Sequence, residues 1–269
     1  MSIKRRWALI ASLLAGSAFL ITHCSVSDLL PVEGKIFFRV SEIHRSYNCN
    51  CAPDITLVMQ TEKTYGCVNY QIKTEIFRSG GQLEVKISGI EPPEGYCLTA
   101  LGPATARQTL DLPEGAYSLN LSYNYAIDRY HLIVREDSLQ IVSTVSSFSQ
   151  PEFGVYWRYP RNSFVYCCGT MTETSWICDD FLSRLLAEVN LDEFTFPDYG
   201  EIPYPRSSQG HYYDAPARYF RYQSEEDFDR AGEILKSYAE AVTSNYQGIG
   251  LTLTNWKGRY FYSSLFESR

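Results

Sequence analysis

The length, composition and charge of the chain exclude several classes of protein. With 269 residues, of which 45% are hydrophobic and 14% aromatic, the chain can bury one large core or two smaller ones, so it is not expected to be disordered. Its formal net charge of -7 argues against nucleic acid as a partner, because that binding depends on Lys and Arg displacing counterions from phosphates.

The first 24 residues have the layout of a secretory leader. Basic residues at positions 4–6 precede an apolar run over residues 7–22. The stretch 21–24 resembles a bacterial lipobox, with an aliphatic residue three positions before Cys24, although His23 stands where a small residue is usual. The resemblance implies a membrane-anchored lipoprotein of the bacterial cell envelope, with its lipid on Cys24.

Two other fates of this leader remain open. Ordinary cleavage after Ser17 or Ala18 would leave Cys24 as a thiol and release the protein. An uncleaved apolar run could serve as an anchor, although sixteen residues rise only about 24 Å against a hydrocarbon core of about 30 Å. In each case the rest of the chain is expected outside the cytoplasm, in the periplasm or beyond.

The cysteines beyond the leader predict disulfide bonds, because an exported protein meets an oxidising environment. Four lie before residue 100 and three after residue 160, so pairing within each group is the simplest arrangement. Two adjacent cysteines cannot easily bond to each other, since their Cα atoms lie about 3.8 Å apart, and one of that pair is expected to reach the last cysteine. The candidates are Cys49, Cys51, Cys67, Cys97, Cys167, Cys168 and Cys178.

The number of these cysteines bears on the leader. If Cys24 carries lipid, one of the other seven stays unpaired, whereas a free Cys24 would let eight cysteines close into four bonds. Zinc ligation is the alternative use of such thiolates, but the close pairs are separated by one residue and by none, which does not match structural zinc sites. No metal or cofactor site is therefore predicted.

Residues 32–147 are predicted to form an antiparallel β-sandwich. Apolar residues alternate with period two through many short segments separated by turn residues, among them Ser79–Gly81 and Asp128, and no helical pattern interrupts them. The predicted strands cover residues 36–40, 55–59, 68–76, 83–87, 96–101, 108–112, 117–125, 130–134 and 139–141.

One segment of this domain is similar to a known family. Residues 112–119 resemble the Leu-x-Pro-Gly-x-Tyr-x-Leu entry into a strand of bacterial immunoglobulin-like and transthyretin-like modules. In this chain Pro113 comes one position early and Glu114 takes its place. The resemblance covers one hairpin and implies a β-sandwich; it identifies no functional residue.

Residues 150–269 are predicted to form a small α+β domain. A hairpin is expected from residues 153–159 and 163–168, and helices are expected at about 175–190 and from Ser224 onward, each with an apolar face. A second hairpin from Leu251 to about residue 265 closes the chain. Both helices could pack on one face of a four-stranded sheet.

Between these helices, residues 194–222 form the longest stretch without assigned structure. Loops of this length are usually functional or disordered, and the flat rings in this one suit a glycan or a peptide, with the hydroxyls adding hydrogen bonds. The alternative is that the segment wraps the domain and buries its rings. The candidate ligand-binding residues are Tyr199, Tyr204, His211, Tyr212, Tyr213 and Asp214.

Evidence for catalysis in the sequence is confined to one pair. No Gly-x-Ser-x-Gly motif is present, and His211 with Asp214 is the one combination of base and orienting acid in a promising loop. We therefore expect a noncatalytic binding or assembly protein of the cell envelope, whose partner is a glycan, a peptide or another envelope protein. The alternatives are an extracytoplasmic hydrolase with its site in residues 194–222 and a purely structural lipoprotein.

Overall fold

The computed structural model of the protein describes residues 29–263. Strands contain 46% of these residues and helices 15%, so the predicted mainly β class is confirmed. The first ten strands are β1 (Ile36–Ile43), β2 (Asp54–Tyr65), β3 (Gln71–Ser79), β4 (Gln82–Glu91), β5 (Gly102–Thr109), β6 (Gly115–Tyr123), β7 (Ala126–Val134), β8 (Ser138–Val145), β9 (Ser149–Pro151) and β10 (Val155–Trp157).

These ten strands form one curled sheet in the order β10-β8-β7-β6-β4-β3-β5-β2-β1-β9. The two edge strands, β9 and β10, are separated by only three residues of chain. Backbone hydrogen bonds of 2.8 Å tie this linker to both edges, from Glu152 to Phe38 on β1 and from Ile141 on β8 to Gly154. The segment after residue 148 therefore brings the two edges of the sheet together.

The antiparallel sandwich that we predicted is not confirmed. The sheet is mixed, since β4 pairs with β6 and β1 with β9 in parallel, and all ten strands are continuous in one sheet. Its core comprises the alternating buried residues of β1 to β8, together with Tyr156 of β10. In β4, for example, Leu83, Val85 and Ile87 are buried while the residues between them are exposed, which is the period-two pattern of a sheet with one apolar face.

Several details of the predicted strands are wrong. The strand predicted at residues 108–112 lies earlier in the chain, since β5 covers Gly102–Thr109 and residues 110–112 follow it without strand structure. Residues 96–101 form no strand, because Cys97 is bonded to Cys67 and the backbone of this segment is held by Asn69 instead of by a neighbouring strand. Asp128 is not a turn residue: the β6–β7 turn lies at Asn124, which has a left-handed φ of 52°, and Asp128 is buried within β7.

The rest of the described chain forms a second, smaller sheet covered by two helices. The sheet runs β12-β14-β11-β15-β16, with β13 added beside β11. Both helices belong to the core on one face of this sheet. The elements are β11 (Ser163–Thr170), a 3₁₀ turn (Thr172–Thr174), α1 (Trp176–Glu188), β12 (Asp192–Phe194), β13 (Tyr213–Asp214), β14 (Arg218–Arg221), α2 (Glu225–Thr243), β15 (Gly250–Asn255) and β16 (Tyr260–Tyr262).

This unit differs from the predicted four-stranded arrangement. Residues 153–159 do not form a hairpin with residues 163–168, because β10 pairs with β8 in the large sheet. The segment left without an assignment supplies β13 and β14 instead. Both helices lie where the sequence places them, and Ser224 and Asp227 form the capping box at the start of α2, with the Ser224 amide donating to the Asp227 carboxylate at 2.8 Å.

The central strand β11 is buried on both faces. Phe164, Tyr166 and Cys168 belong to the core with the helices, whereas Val165 and Cys167 contact a second aromatic cluster. Alternation in a strand sends neighbouring side chains to opposite faces. The face of the sheet away from the helices is therefore the one available to residues 194–222.

Glu42 on β1 holds the start of the smaller unit against the large sheet. This carboxylate, which is buried, accepts hydrogen bonds of 2.8 Å from the Arg158 side chain and from the Tyr159 amide. The Arg158 guanidinium also donates to the backbone carbonyl of Arg135, between β7 and β8. A buried pair of this kind fixes geometry, because removing one partner leaves an uncompensated charge.

The described residues contain three disulfides: Cys49–Cys51, Cys67–Cys97 and Cys168–Cys178. Both members of each bond come from the same half of the chain, as predicted, and Cys178 pairs with the second of the two adjacent cysteines. Cys167 is free and buried. Cys24, the predicted lipidation site, lies outside the described residues. Between residues 29 and 263, neither helix has the length and apolar character needed to span a bilayer.

Candidate functional site

A cleft of about 430 Å³ lies where the smaller unit meets the end of β1. Its floor belongs to β15 and β16 of the smaller sheet. One wall is the loop that follows β1, and the other is formed by residues 208–211. The cleft thus combines three segments that are far apart in the sequence.

The floor consists of two cross-strand pairs. Thr252 lies opposite Tyr262, and Thr254 lies opposite Tyr260. Leu251 and Leu253, which alternate with these threonines along β15, are completely buried in the core with the helices. The alternation that buries the leucines therefore presents two hydroxyls and two phenol rings to the cleft.

His44 fixes the loop after β1 against the floor. Its Nε2 lies 3.0 Å from the backbone carbonyl of Trp256, which can only accept, so this nitrogen carries the proton. The ring also packs against Tyr159, with 5.1 Å between centroids, and against Gly258 in the β15–β16 turn. Gly258 has a φ of 73°, and a side chain there would collide with the imidazole.

The same loop carries the Cys49–Cys51 disulfide next to the cleft. The Cys51 amide donates to the Lys257 carbonyl at 3.0 Å, and Asn48 and Asn50 adopt left-handed φ angles of 54° and 48°. Such angles are tolerated by Asn better than by most residues. The disulfide and these two residues give the loop a tight reversal that places its tip beside β16.

Tyr47 stands at the tip of this loop and reaches the floor. Its ring lies 4.6 Å from the ring of Tyr260, at an angle of 44°. A side-chain hydrogen bond with Tyr260 raises the pKa of Tyr47, with burial as a smaller cause. Although it contacts Tyr260, Tyr47 is 83% exposed, so much of its ring is open to a bound molecule.

His211 forms the opposite wall. Its ring lies across Gly169 and Gly250, which face each other on β11 and β15. Nδ1 is 3.2 Å from the Asp214 carboxylate and 3.3 Å from the Ser208 hydroxyl. Asp214 itself is held in β13 opposite Gly169, so the imidazole is fixed both by a carboxylate and by the flat surface of two glycines.

This arrangement does not form a serine hydrolase triad. A triad needs the nucleophile on one imidazole nitrogen and the carboxylate on the other, whereas Ser208 and Asp214 both contact Nδ1 of His211. Among residues 29–263, no group of three His, Cys, Asp or Glu side chains is arranged to hold a metal ion.

The side chains around the cleft are aromatic or polar, and two of them are imidazoles. The residues that line it include no Lys, Arg, Asp or Glu. Besides the tyrosines and threonines already described, Ser46, Asn48 and Gln209 contribute hydroxyl and amide groups. Such a surface can stack on a flat ring and exchange hydrogen bonds, but it offers no fixed charge to a charged ligand.

The structure disperses the ligand-binding residues proposed from the sequence. His211 lines the cleft with Asp214 behind it, whereas Tyr199 packs on Trp157, 5.4 Å between centroids. Tyr212 and Tyr213 are exposed but do not line the cleft. Tyr204 is buried, its hydroxyl lies 2.9 Å from that of Ser163, and burial raises its pKa well above the ordinary value.

The segment 194–222 thus buries part of its aromatic content. Tyr204 packs with Val165 and Cys167 on the face of the smaller sheet away from the helices, and Phe196 and Tyr219 pack around them. Other residues of the same segment, at positions 208, 209 and 211, line the cleft instead. Wrapping of the domain and exposure of a functional group therefore occur in the same segment.

Sequence reasoning missed most of the cleft. Tyr47, Thr252, Tyr260 and Tyr262 were not among the candidates. One signal was present in the predicted last hairpin, since alternation around Leu251 and Leu253 places threonines on the other face. Nothing local indicates that the loop at Tyr47, more than 200 residues earlier in the chain, covers that face.

A scan against protein-family models found no family that matches the chain, and searches of curated proteins and of solved structures found no match. The resemblance to bacterial exported lipoproteins and to immunoglobulin-like or transthyretin-like modules rests on residues 21–24 and 112–119, and it stays a prediction.

Proposed function

We propose that this protein is a noncatalytic binding protein of the bacterial cell envelope that holds a neutral, hydroxyl-rich ligand, such as a glycan, in the cleft between its two units. The observation that carries the proposal is the lining of the cleft: tyrosine rings, hydroxyls, amides and imidazoles without a carboxylate, ammonium or guanidinium group. Ligand sites usually combine aromatic surface with a few polar groups that fix orientation.

The arrangement of the floor supports a ring-shaped ligand. Tyr260 and Tyr262 lie directly opposite Thr254 and Thr252 of β15, so phenol rings and hydroxyls lie side by side. A sugar ring presents apolar C–H groups on its faces and hydroxyls around its edge, which matches that pattern of contacts. His211 and Gln209 on the wall could donate to or accept from the edge hydroxyls.

Attachment to the envelope through lipid on Cys24 is part of the same proposal. The leader-like pattern of residues 1–24 supports it, and three disulfides fit an oxidising compartment outside the cytoplasm. Six of the seven later cysteines are paired, and Cys167 is buried. Cys24 therefore has no accessible partner among the described cysteines, which favours modification over a fourth disulfide.

The proposal is tested by calorimetric titration of the protein with neutral oligosaccharides of glucose and of N-acetylglucosamine. We expect binding that falls by about tenfold in Tyr260→Ala, the loss of one stacking contact, and less in Tyr260→Phe, which keeps the ring. Tyr212→Ala is the matched control, because Tyr212 is exposed and outside the cleft. Absence of binding to every probe, or equal affinity in Tyr260→Ala, would contradict the proposal.

One observation favours hydrolysis as a second candidate function. His211 lies in the cleft with Asp214 at 3.2 Å, and a carboxylate that orients an imidazole can prepare it to act as a base. Incubation of the protein with the same oligosaccharides distinguishes hydrolysis from binding. Release of shorter products that is abolished by His211→Ala would replace binding with catalysis as the function.

A further inference from the structure

The large sheet has two ends that differ in character. β1 ends at Ile43, beside the cleft, and begins at Ile36 at the opposite end. Since β1 and β2 are antiparallel and β2 pairs in the same way with β5, β2 ends and β5 begins at that opposite end. β4 also ends there, because its last residue, Glu91, lies opposite Gln71 at the start of β3, and Gln71 pairs with Thr105 near the start of β5.

This opposite end carries an exposed apolar surface, which we call the apolar tip. Tyr96 and Leu101 are 92% and 79% exposed. They belong to the loop between β4 and β5, which is held by the Cys67–Cys97 disulfide and by hydrogen bonds to Asn69. Large apolar side chains that stay exposed at one end of a fold can mark an interaction site. The β6–β7 turn lies at the same end, because β6 runs parallel to β4. The members of the apolar tip are Val68, Tyr96, Leu98, Leu101 and, from this turn, Tyr125.

The N-terminal part of the chain leaves the fold at the same end. Leu30 forms an antiparallel bridge with Ile90, next to the last residue of β4, so going back along the chain from Leu30 leads toward the β4–β5 loop. Leu29 follows Cys24 by only five positions, which span at most about 18 Å. A lipid attached to Cys24 would therefore lie close to the apolar tip.

The charged groups near this end include no excess of basic residues, and the β4–β5 loop itself contributes the carboxylate of Glu94. Lys63 is paired with Glu33 at 2.6 Å, and Lys73 is paired with Glu91 at 3.1 Å. An exposed apolar surface without excess basic charge fits a zwitterionic lipid surface better than a strongly anionic one.

We propose that the apolar tip rests in the surface of the membrane that holds the N-terminus, so that the molecule stands on its anchor with the cleft facing away. The orientation in this inference rests on the proposed lipid anchor, whereas contact of the apolar tip with lipid is tested independently of the anchor and of the ligand of the cleft. The eight residues of β1 rise about 26 Å, which sets the scale of the separation between bilayer and cleft. The cleft would then be accessible to a ligand that is not itself in the membrane.

The experiment places a tryptophan in the apolar tip of the full chain, produced with its own leader. Leu98→Trp is reconstituted in phosphatidylcholine vesicles with or without brominated acyl chains, which quench tryptophan only on contact. Leu186→Trp, at an exposed apolar position of α1 in the smaller unit, is the matched control, and the parent protein gives the signal of the native tryptophans. Leu101→Trp repeats the test at a second position.

We expect brominated lipid to quench most of the fluorescence added by Leu98→Trp and Leu101→Trp and none of that added by Leu186→Trp. The proposal would be overturned if each of the three variants had the same fluorescence in brominated and in unbrominated lipid. It would also be overturned if a second copy or another protein, instead of lipid, covered residue 98. Intact mass tests the anchor separately. If no lipid is found on Cys24, the same vesicles are added to the soluble variants, and quenching at residue 98 still supports a membrane-binding tip while its absence refutes it.

Discussion

Gly169 and Gly250 lie opposite each other on β11 and β15, and the imidazole of His211 rests across both. Any Cβ at either position would occupy the space that the ring takes. The absence of side chains at these two positions therefore lets the histidine ring lie against the sheet backbone, where its Nδ1 reaches the carboxylate of Asp214.

Gly250→Ala should displace His211 without unfolding the protein. A methyl group at residue 250 would come within 2.6 Å of His211 Nε2, but a side chain can swing away more easily than backbone can. We expect oligosaccharide affinity to fall by about tenfold, comparable to the loss of one well-placed contact, while the melting temperature changes little. Calorimetry and thermal unfolding measure the two effects.

The double variant Gly250→Ala with His211→Ala is the control for this prediction. If the glycine acts through the histidine, the second substitution adds no further loss to the first, as expected for coupled positions. Additive losses would mean that Gly250 affects binding by another route.

Asp128→Asn should destabilise the large sheet strongly. The carboxylate is fully buried and accepts five hydrogen bonds of 2.6–3.1 Å, from the amides of Ser147, Phe148 and Ser149 and from the two serine hydroxyls. An amide group would turn a donor toward these donors, so we expect unfolding to become easier by about 3 kcal/mol. Urea denaturation measures the free energy of unfolding. The control is Asp192→Asn at an exposed position, for which we expect a change near zero.

The same carboxylate gives a pH dependence. Burial raises the pKa of Asp128, but the hydrogen bonds from Ser149 and Ser147 outweigh it, and the pKa is lowered below its ordinary value. Because the folded state then has the lower pKa, the stabilisation is complete above about pH 4 and is lost as the pH falls through the folded-state pKa. The difference in unfolding free energy between wild type and Asp128→Asn should therefore narrow in acid. A constant difference would contradict the assignment.

The three disulfides should contribute in the order of the loops that they close. Replacing both cysteines by alanine should cost about 3–4 kcal/mol for Cys67–Cys97 and about 2–3 kcal/mol for Cys168–Cys178, whose sequence separations are 30 and 10. Removal of Cys49–Cys51, with a separation of 2, should cost less stability and act mainly on the cleft, by loosening the loop at Tyr47. Urea titration ranks the variants, and a reversed order would show that native packing dominates.

Cys167 should be unreactive in the folded protein. Burial raises the pKa of its thiol to about 12, so almost no thiolate, the reactive form, is present near neutral pH. Iodoacetamide should add nothing to residue 167 of the native protein and one group after unfolding without reductant, as read by peptide mass. Failure to label this residue in the unfolded state would reveal a bond to Cys24. The Cys167→Ser variant is the control, because the labelled peptide must be missing from it.

Local patterns sufficed for most elements of the fold. Alternation places β4 and β6, and the apolar stripe after Ser224, with its capping box, places α2, because side-chain periodicity and capping depend on neighbours within a few positions. The Asn124 turn and the buried Asp128 are among the exceptions in the first domain. From the sequence alone, an aspartate between two apolar segments predicts a turn. Inside the strand, Asp128 is stabilised by the amides of residues 147–149, which only the tertiary fold brings beside β7.

The sequence by itself determined the mainly β class, the two helices and the grouping of the cysteines. The tertiary structure decided how strands join and where the cleft lies. β9 and β10 link the edges of one curled sheet because the chain after residue 148 finds partners on β1 and β8, more than a hundred residues apart. His44 meets the Trp256 carbonyl across 212 residues. Such pairings are selected by packing and hydrogen bonding of the whole chain, which no local periodicity records.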